Sequence, residues 1–503
     1  MSSGNISRGS ISRLNTGADA RSAAVSDSWA SAAQKAARYR DQRISYWNSY
    51  SRRSSSNYYH GRLNQIYQFV IPPGQRVLEL GCGEGDLLAA LKPSSGVGVD
   101  FSPEMITRAR QKYPELDFLL KDVHDLSLSG KFDYIILSDL VNDLWDVEQV
   151  FERIAPLCGP QTRIVINSYS RLWEAPLAVV RRLKLANPST PQNWLTPEDL
   201  ENMFYLNGFE TVRRWQEILF PLQVPALSSL CNRFLAKFAP FRIADLTNFL
   251  IVRPAWQSKP ALERQALVSV VVPTRNEAGN IESIFRRVPE MGAGTELVFV
   301  EGHSTDDTYA EIERVAKKFP NRRVKILRQS GRGKGDAVRT GFAAADGDVL
   351  MILDADLTVP PEDLTHFYDV LRSGKGEFVN GVRLVYPMEG RAMRFFNLVG
   401  NKFFAMAFSW LLGQKIKDTL CGTKVLSRQN YDLIARNRDY FGDFDPFGDF
   451  DLIFGAAKLN LKIVDVPVRY AERTYGETNI ARWRHGWLLL RMVMFASSRI
   501  KFV

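Results

Sequence analysis

The chain has 503 residues, of which 45% are hydrophobic and 24% charged, and this composition excludes a mainly disordered, collagen-like or coiled-coil protein. Four cysteines without a C-x-x-C spacing exclude a disulfide scaffold and a structural zinc site. The net charge of +10 is concentrated in residues 1–60 and from Arg469 onward, which fits contact with anionic lipid or a phosphorylated ligand; two solvated basic segments are the alternative, and the favoured one for residues 1–60. Nucleic acid is not expected as a partner, because the sequence carries no nucleic-acid recognition motif.

Residues 1–59 form a basic segment rich in serine and arginine, which we expect to be partly disordered. Aromatic residues from Trp29 to Tyr67 predict a helical lead-in that packs on the next domain. The segment lacks the apolar core of a signal peptide, and the longest apolar runs reach about half of the roughly 20 residues that span a bilayer. The sequence therefore predicts a cytoplasmic protein, peripheral on the inner face of the cytoplasmic membrane.

Residues 60–253 alternate between apolar strands and helices, a pattern typical of parallel strands joined by helical crossovers. The predicted strands are 76–80, 96–99, 118–120, 134–137 and 163–167. A later helix is predicted to begin after Thr196, because Pro197 occupies its first position and two acidic residues follow.

A glycine-rich turn follows the first strand and carries Gly81, Gly83 and Gly85. Glycine is needed where a ligand meets the backbone without room for a Cβ. The next strand ends at Asp100, whose carboxylate can accept hydrogen bonds from both hydroxyls of a ribose. Asp122 follows the third strand, where it can meet an adenine edge. The G-x-G-x-G spacing after Glu79 argues against a dinucleotide site, which has the form G-x-G-x-x-G.

This region resembles the class I S-adenosylmethionine-dependent methyltransferases in the glycine turn, in the sequences around Asp100 and Asp122, and in the strand that begins at Phe132. The resemblance implies a Rossmann-like seven-stranded fold with S-adenosyl-L-methionine as cofactor, held by Glu79, the three glycines, Asp100 and Asp122. It does not fix the residue that removes the acceptor proton. His124, Asp139 and Asp143 are candidates on position only, and a structural role in the loop is the alternative for His124.

Residues 254–266 are predicted to be a linker, and a second alternating α/β unit, residues 267–503, follows. Its predicted strands are 267–273, 296–300, 324–327 and 349–353, and its predicted helices are 280–288, 306–318 and 335–345. Polar residues follow each of these four strands. Because parallel strands end at one edge of a sheet, these side chains are expected to lie close together.

Asp354 and Asp356 follow the strand at 349–353, and carboxylates two residues apart at a strand end point the same way. Such a pair can hold a hard divalent cation, Mg²⁺ or Mn²⁺, that in turn binds a diphosphate. A solvated pair of acids that caps the strand is the alternative. The basic glycine-rich loop 331–335, with Arg332 and Lys334, can approach phosphates closely.

These blocks resemble the inverting GT-A enzymes of glycosyltransferase family 2 over about residues 267–500. The resemblance implies catalytic and metal-binding roles for Asp354 and Asp356. It also implies that the nucleotide sugar is held by Pro273, Arg275, Glu277, Glu301, Asp306, Lys334 and Asp354. The family often has two acids before Gly-Ser-x-Asp, one of them at the nucleobase, whereas this chain has Glu301 followed by Gly302 and His303.

Three further blocks, Asn380–Arg383, Asp418–Lys424 and Arg473–Ile480, look like polyprenyl-phosphate sugar synthases of the dolichol-phosphate mannose synthase type. In those enzymes the acceptor is an ionised lipid phosphate held by basic residues, and Arg383 and Arg473 stand at the matching positions. The synthases usually carry Lys where Asn479 stands. If the acceptor is instead a sugar hydroxyl, the candidate bases are Asp449 and Asp451, for which a helix N-cap is the alternative role.

Two runs rich in aromatic residues with basic residues at their edges, 394–412 and 482–495, suit helices that lie in the bilayer interface. A packed core helix or an oligomer contact is the alternative for both. The sequence thus predicts a bifunctional enzyme that moves a sugar to a polyprenyl phosphate or lipid-linked glycan and a methyl group to a related sugar or glycan. The alternatives are a glycosyltransferase whose first domain is only a binding or regulatory module, and a nucleic-acid methyltransferase.

Overall fold

The computed structural model describes residues 34, 37–47, 54–182, 192–255, 266–383, 385, 395–438, 448–471, 473, 475 and 482–502. Most of the predicted N-terminal segment and of the predicted linker, together with Asn479, lie outside these ranges. Within the described part of the chain, no helix is long and apolar enough to cross a membrane.

The N-terminal half forms a seven-stranded sheet in the order β3-β2-β1-β4-β5-β7-β6. Its strands are β1 (Arg76–Leu80), β2 (Ser95–Asp100), β3 (Asp117–Leu120), β4 (Phe132–Ser138), β5 (Cys158–Tyr169), β6 (Phe209–Glu217) and β7 (Thr247–Pro254). Only β7 runs against its neighbours. The central strands are buried on both faces, as the Val, Ile and Leu runs predict for parallel strands covered by helices.

Helices cover both faces of this sheet and supply the two halves of its apolar core. They are α1 (37–47), α2 (Ser54–Val70), α3 (Asp86–Ala90), α4 (Pro103–Lys112), α5 (Val147–Ile154), α6 (Glu174–Arg182), α7 (Pro197–Leu206) and the short α8 (Leu227–Ser229). The predicted start of α7 is confirmed, because Thr196 and Asp199 form a reciprocal capping box. The lead-in prediction is confirmed for α2, which buries Tyr59, Leu63 and Tyr67 in the core, while Trp29 lies outside the described residues.

The C-terminal half forms a second seven-stranded sheet in the order β10-β9-β8-β11-β13-β12-β14. Its strands are β8 (Val268–Thr274), β9 (Thr295–Glu301), β10 (Arg323–Arg328), β11 (Val349–Ile352), β12 (Phe378–Val382), β13 (Lys424–Ser427) and β14 (Ile463–Pro467). Only β13 is antiparallel to its neighbours. The two α/β sheets confirm the predicted fold class, and the strands predicted from the sequence differ from the observed ones mainly at their ends.

The helices of this half are α9 (Ile281–Arg287), α10 (Thr308–Lys318), α11 (Lys334–Ala344), α12 (Leu364–Arg372), α13 (Phe395–Leu412), α14 (Arg428–Arg436), α15 (Asp449–Lys458) and α16 (Arg482–Ala496). The two aromatic runs of the sequence are α13 and α16. Each is both a core helix and an exposed one: α13 buries Phe408 and Leu411 but exposes Phe403 and Met406. The core alternative holds for the buried faces, and the contact of the exposed faces with a bilayer stays a prediction.

A buried ion network joins the two sheets at Glu377, one residue before β12. Arg163 of β5 donates two hydrogen bonds to its carboxylate at 2.7 and 2.8 Å, and Arg253 of β7 lies 3.2 Å away. The backbone N–H of Lys462 donates a further bond at 2.9 Å. Arg163 also reaches the carbonyl of Asn460 at 2.8 Å, so the two halves share a polar as well as an apolar interface.

The charge of Glu377 is stabilised by this arrangement. Burial opposes ionisation, but Arg163, Arg253 and the hydrogen bonds outweigh it and lower the pKa of the carboxyl. A carboxyl whose pKa is lower in the folded state stabilises the fold above its unfolded pKa of about 4.3, and that stabilisation is lost as the pH falls through the folded value.

Replacement of Glu377 by Gln should lower the free energy of unfolding by about 3–5 kcal/mol, because the buried guanidinium of Arg163 loses its counter-charge, whereas Arg253 retains its ion pair with Glu210. Calorimetry should also show the single transition splitting as the two halves uncouple. Glu311→Gln, which removes an exposed partner of Arg314, is the control and should change stability by less than about 0.5 kcal/mol. Equal losses in both variants would contradict the structural role of Glu377.

Candidate active sites

The glycine turn after β1 has the geometry that a close ligand approach requires. Gly81, Gly83 and Gly85 all have positive φ, at 71°, 52° and 78°. A Cβ at Gly81 would meet Leu140 at 2.8 Å and one at Gly85 would meet Phe118 at 2.6 Å, whereas at Gly83 it would meet nothing within 4 Å. Two of the glycines are therefore required by packing, and Gly83 lies beside open space where a ligand can touch the backbone.

The acids predicted to hold the cofactor surround this turn. Asp100 accepts hydrogen bonds from the N–H groups of Gly83 and Ser102, each at 2.9 Å, so it also orients the turn. Burial raises the pKa of Asp100 and raises that of Glu79 well above the usual range. Glu79 has one buried oxygen, Oε2, without a hydrogen-bond partner among the described residues. That orphaned oxygen and the space at Gly83 fit a bound S-adenosylmethionine.

Asp122 and His124 form one unit after β3. Asp122 accepts from the backbone N–H of His124 at 3.0 Å and lies 2.7 Å from its Nδ1, while Nε2 of His124 accepts from the N–H of Asp146 at 3.2 Å. These partners assign the proton to Nδ1. Burial alone would raise the pKa of Asp122, but its hydrogen bonds with His124 lower it. The positive charge of Arg40, 3.9 Å away, also lowers this pKa. Both nitrogens of His124 are thus engaged, which favours a structural role for this residue.

Asp139, directly after β4, has the environment of a proton acceptor. It accepts hydrogen bonds from the hydroxyl of Tyr59 at 2.9 Å and from the amide of Asn167. Burial raises its pKa to about 7, and the negative charge of Asp143 adds to this effect, while Tyr59 and Asn167 act against it. Its backbone has a φ of 53°, in the left-handed region that a non-glycine residue seldom adopts.

Asp143, the third candidate for the base, forms an ion pair with Arg43 of α1 at 2.6 Å. Sequence reasoning missed Tyr59, Asn167 and Arg43 as parts of this site. Asn167 could have been noticed, because it is a polar residue directly after the apolar run 164–166 of β5. Tyr59 and Arg43 carried no such signal, since only the packing of α1 and α2 brings them to the sheet edge.

The second site lies at the edge where β8, β9 and β11 end. Asp354 forms an ion pair with Lys334 at 2.6 Å, and Asp356 forms one with Arg473 at 2.7 Å. Arg473 also lies 3.4 Å from Glu277. Residues far apart in the sequence are therefore joined in one cluster of alternating charge, as the shared sheet edge predicts.

The charges of this cluster depend on one another. Burial opposes ionisation of Asp354, but Lys334, Lys424 and Arg383 lower its pKa below the usual range. Burial raises the pKa of Glu277 to about 7, even though Arg473 favours its charged form. A Cβ at Gly422 would clash with Oδ2 of Asp354 and with Lys334, so only glycine at this position leaves room for their ion pair.

The other predicted donor residues lie in the loops beside this cluster. Asp306 accepts from the N–H of Thr308 at 3.1 Å and of Ala278 at 3.4 Å, so it ties two loops together. Glu301 is buried at the end of β9 and accepts from the N–H of Ser304. Arg275 is exposed after β8, and Pro273 lies within the strand. The contacts of these residues with a donor remain predictions.

The residues predicted to act on the acceptor have different partners in the structure. Arg383 makes two hydrogen bonds to Asp418 through its side chain, at 2.8 and 2.9 Å, and this carboxylate raises its pKa although burial opposes the charge. Asp451 forms an ion pair with Arg438 at 2.7 Å. The side chain of Asp449 lies outside the described residues. Lys424 and Gly422 were given no role from the sequence, although both act on Asp354.

The protein side chains of this cluster supply only part of the ligands that a metal ion needs. Within the described ranges, no group of three or more His, Cys, Asp or Glu side chains could hold a metal ion. Asp354 and Asp356 supply the oxygen atoms that Mg²⁺ and Mn²⁺ accept, and the remaining ligands would come from substrate phosphates and water. The residues fit a metal that binds together with a diphosphate.

Comparison with known proteins assigns the two halves of the chain to two different kinds of domain. Residues 53–214 match the model of a methyltransferase domain, and residues 269–433 match glycosyl transferase family 2. A dolichyl-phosphate hexose transferase of Haloferax volcanii is 30% identical over 214 residues, which are 42% of this chain and 86% of that protein. A dolichol-phosphate mannosyltransferase of Pyrococcus furiosus is 29% identical over 219 residues, 42% of this chain and 59% of its own length.

Among solved structures, glucosyl-3-phosphoglycerate synthase from Mycobacterium tuberculosis, in complex with Mn²⁺, UDP and glucosyl-3-phosphoglycerate, is 22% identical. The match covers 47% of this chain and 80% of that one, with a TM-score of 0.35. The family match, the Haloferax relative and the two seven-stranded sheets lead to one conclusion. The chain belongs to glycosyl transferase family 2, and it carries a methyltransferase domain ahead of its glycosyltransferase domain.

Proposed function

We propose that the C-terminal domain transfers a sugar, with inversion, from a nucleotide-diphosphate donor to a polyprenyl phosphate or lipid-linked glycan. The observation that carries this proposal is the cluster in which Asp354 pairs with Lys334 and Asp356 pairs with Arg473. Lipid-phosphate acceptors appear in the names of the Haloferax and Pyrococcus relatives, which supports the acceptor class.

In this reaction an oxygen of the acceptor attacks the anomeric carbon as its bond to the donor diphosphate breaks, and the nucleoside diphosphate leaves with the electron pair. Lys334 lies where it can neutralise the diphosphate, at the N-terminus of α11. Asp354 and Asp356 would hold Mg²⁺ or Mn²⁺, which supplies positive charge to the leaving group when bound. Each carboxylate must then exchange its present cation for the metal.

Arg473 is the better placed of the two arginines for an acceptor phosphate, because it borders the cluster and would exchange Asp356 for the phosphate if that carboxylate held a metal. Arg383 is already engaged by Asp418 and would act mainly by positioning and by its charge. An ionised phosphate acceptor needs no base. For a glycan hydroxyl, Asp449 or Asp451 would be the base, and Asp451 would first have to leave Arg438.

The N-terminal domain, under this proposal, transfers a methyl group from S-adenosyl-L-methionine to a hydroxyl of a related sugar or glycan. Asp139 is the base, because its pKa of about 7 lets it accept a proton near neutral pH. The rival function, a binding or regulatory module without catalysis, would not need this acid.

The membrane surface is proposed as a partner of the whole protein. Large apolar side chains are exposed on α13, on α16 and on the segment after β6, including Met406 at 67%, Trp487 at 61% and Ile243 at 66% exposure. Arg242 lies on the segment after β6, and Arg499 lies in the turn that follows α16. Such surfaces lie in the headgroup region of anionic bilayers.

Asp139→Asn should reduce methyl transfer by about 10²- to 10⁴-fold, the usual contribution of a positioned base. In the unchanged enzyme the rate should rise with pH through about 7, as Asp139 loses its proton, and then level off. His124→Gln is the matched control and should retain the rise. Equilibrium binding of S-adenosylmethionine should persist in both variants. A full methylation rate in Asp139→Asn would remove this residue as the base.

Asp356→Asn keeps the shape of the side chain but removes its charge, so sugar transfer should be lost while methyl transfer continues. EDTA should have the same effect on the unchanged protein, and added Mg²⁺ or Mn²⁺ should restore activity. The control is Asp346→Asn, an exposed acid paired with Lys325, which should transfer sugar normally. Mass spectrometry of products from a polyprenyl phosphate and a panel of nucleotide sugars measures each case. Transfer at full rate in EDTA would overturn the metal role.

The protein should pellet with anionic liposomes more than with neutral ones, and salt should weaken the binding. A variant with Met406→Glu and Trp487→Glu should remain in the supernatant. The matched control carries Tyr205→Glu and Leu206→Glu, which change equally exposed apolar residues of α7. If both variants lose liposome binding to the same extent, the proposed surface is wrong.

A further inference from the structure

A cavity of about 300 Å³ lies where the two domains meet, outside both candidate sites. The N-terminal domain contributes α2, β6 and the segment after β6, and the C-terminal domain contributes the end of α13 and residues 500–501. None of the residues assigned to either site lines it. Its walls include one carboxylate, Glu217, and the cationic residues Arg62, Arg213, Arg214, Lys237, Arg242, Lys415 and Lys501, of which Arg214 is paired with Glu198 and Glu201 outside the cavity.

The positive charge of this cavity is not balanced within the described structure. Glu217 forms an ion pair with Lys237, and its second oxygen lies 3.7 Å from Arg62, so the one carboxylate is already shared. Asp245 lies near enough to interact with Glu217, Lys237 and Arg242, but burial, with repulsion from Glu217, raises its pKa to about 8. It is therefore mainly protonated at neutral pH and offsets little positive charge.

Arg213 is the clearest sign of a missing ligand. Its side chain is buried, at 8% exposure, and its guanidinium stacks on Trp215 with 4.5 Å to the ring centroid. Its Nε has no hydrogen-bond partner among the described residues. Because a buried donor without a partner costs free energy, native structures seldom keep one unless a ligand or water accepts from it.

Lys501 approaches the same cavity from the other domain. Its Nζ lies 5.3 Å from the ring centroid of Trp410. Burial, together with the charges of Arg213 and Lys237, lowers its pKa to about 7, which means that the cavity in its present state resists one more positive charge. An anion in the cavity would reverse this effect and restore the charge of Lys501.

We propose that this interdomain cavity binds the phosphate group of a phosphorylated ligand, with Arg213, Arg242 and Lys501 as its donors. A phosphate has the charge and the several acceptor oxygens that three cations on two walls require. The volume is at the lower end for small-molecule sites, so it admits a phosphate with a small substituent beside Trp215 and Trp410. Because the donors come from both domains, the ligand connects the glycosyltransferase to the methyltransferase.

The reactivity of Lys501 reports on this site alone, which separates it from phosphate binding at Lys334 or Arg473. The full-length protein is acetylated near neutral pH in EDTA, and the rate at each lysine is measured by peptide mass spectrometry. Pyrophosphate should slow acetylation of Lys501 by at least about fivefold, because binding both shields the amine and raises its pKa. Exposed Lys318 should react equally with and without it, and potassium chloride of equal ionic strength should protect neither residue.

Two further arms identify the source of the phosphate. Protection by free pyrophosphate and inorganic phosphate would indicate a soluble ligand. Protection only by vesicles that contain phosphatidic acid, and not by phosphatidylcholine vesicles, would indicate a lipid head group. Either result supports the proposal, and Lys501 labelling that neither agent slows would overturn it.

Variants test the assignment of the donors without disturbing the buried Arg213. Arg242→Gln, at an exposed edge of the cavity, should raise the concentration needed for half-protection of Lys501 by about tenfold, the usual effect of losing one charge-assisted contact. Arg436→Gln, at an exposed position of α14 outside the cavity, should leave that concentration unchanged. Equal protection in Arg242→Gln and the unchanged protein would contradict the site, and unchanged melting temperatures in both variants exclude misfolding as the cause.

Discussion

Glu377 is the point on which the arrangement of the two domains depends. Its carboxylate accepts from Arg163 and interacts with Arg253, and both arginines lie within strands of the first sheet, so their positions cannot adjust without disturbing that sheet. A second set of contacts, from Asn460 to the carbonyl of Val70 at 3.0 Å and from Lys458 to that of Phe69, holds α2 against the second domain. The interdomain cavity exists because these contacts fix both of its walls.

The two sites place polar groups by the same rule and differ in how they treat charge. In both, side chains gather where parallel strands end. In the first site, burial raises the pKa of Glu79, Asp100 and Asp139, whereas His124 and Arg40 lower that of Asp122. In the second site, Lys334 is paired with Asp354 and Arg473 with Asp356, so these acids carry counter-charges within the protein.

Basic residues near the C-terminal end of the chain line both the second site and the interdomain cavity. The positive charge that the sequence concentrates toward its C-terminal end is used in two ways in the fold: Arg473 faces the acids of the second site, and Lys501 faces the interdomain cavity. The exposed aromatic and aliphatic side chains of α13 and α16 lie on the outside of helices whose other faces are core. A helix of this kind can lie on a membrane without losing its packing against the protein.

The sequence by itself determined the two α/β halves, the glycine turn and the acids at the strand ends, because periodicity and turn chemistry are local properties of neighbouring residues. It also placed Asp354 and Asp356 correctly after β11, since a strand end can be read from the apolar run before it. It did not predict β6 and β7 or the strands after β11, whose partners are distant in the chain. Only the tertiary structure decided that Tyr59 and Asn167 meet Asp139, that Arg473 meets Asp356, and that Arg213 and Lys501 share a cavity. These pairs are separated by up to hundreds of residues, and their contacts follow from how whole helices and sheets pack, which no local pattern encodes.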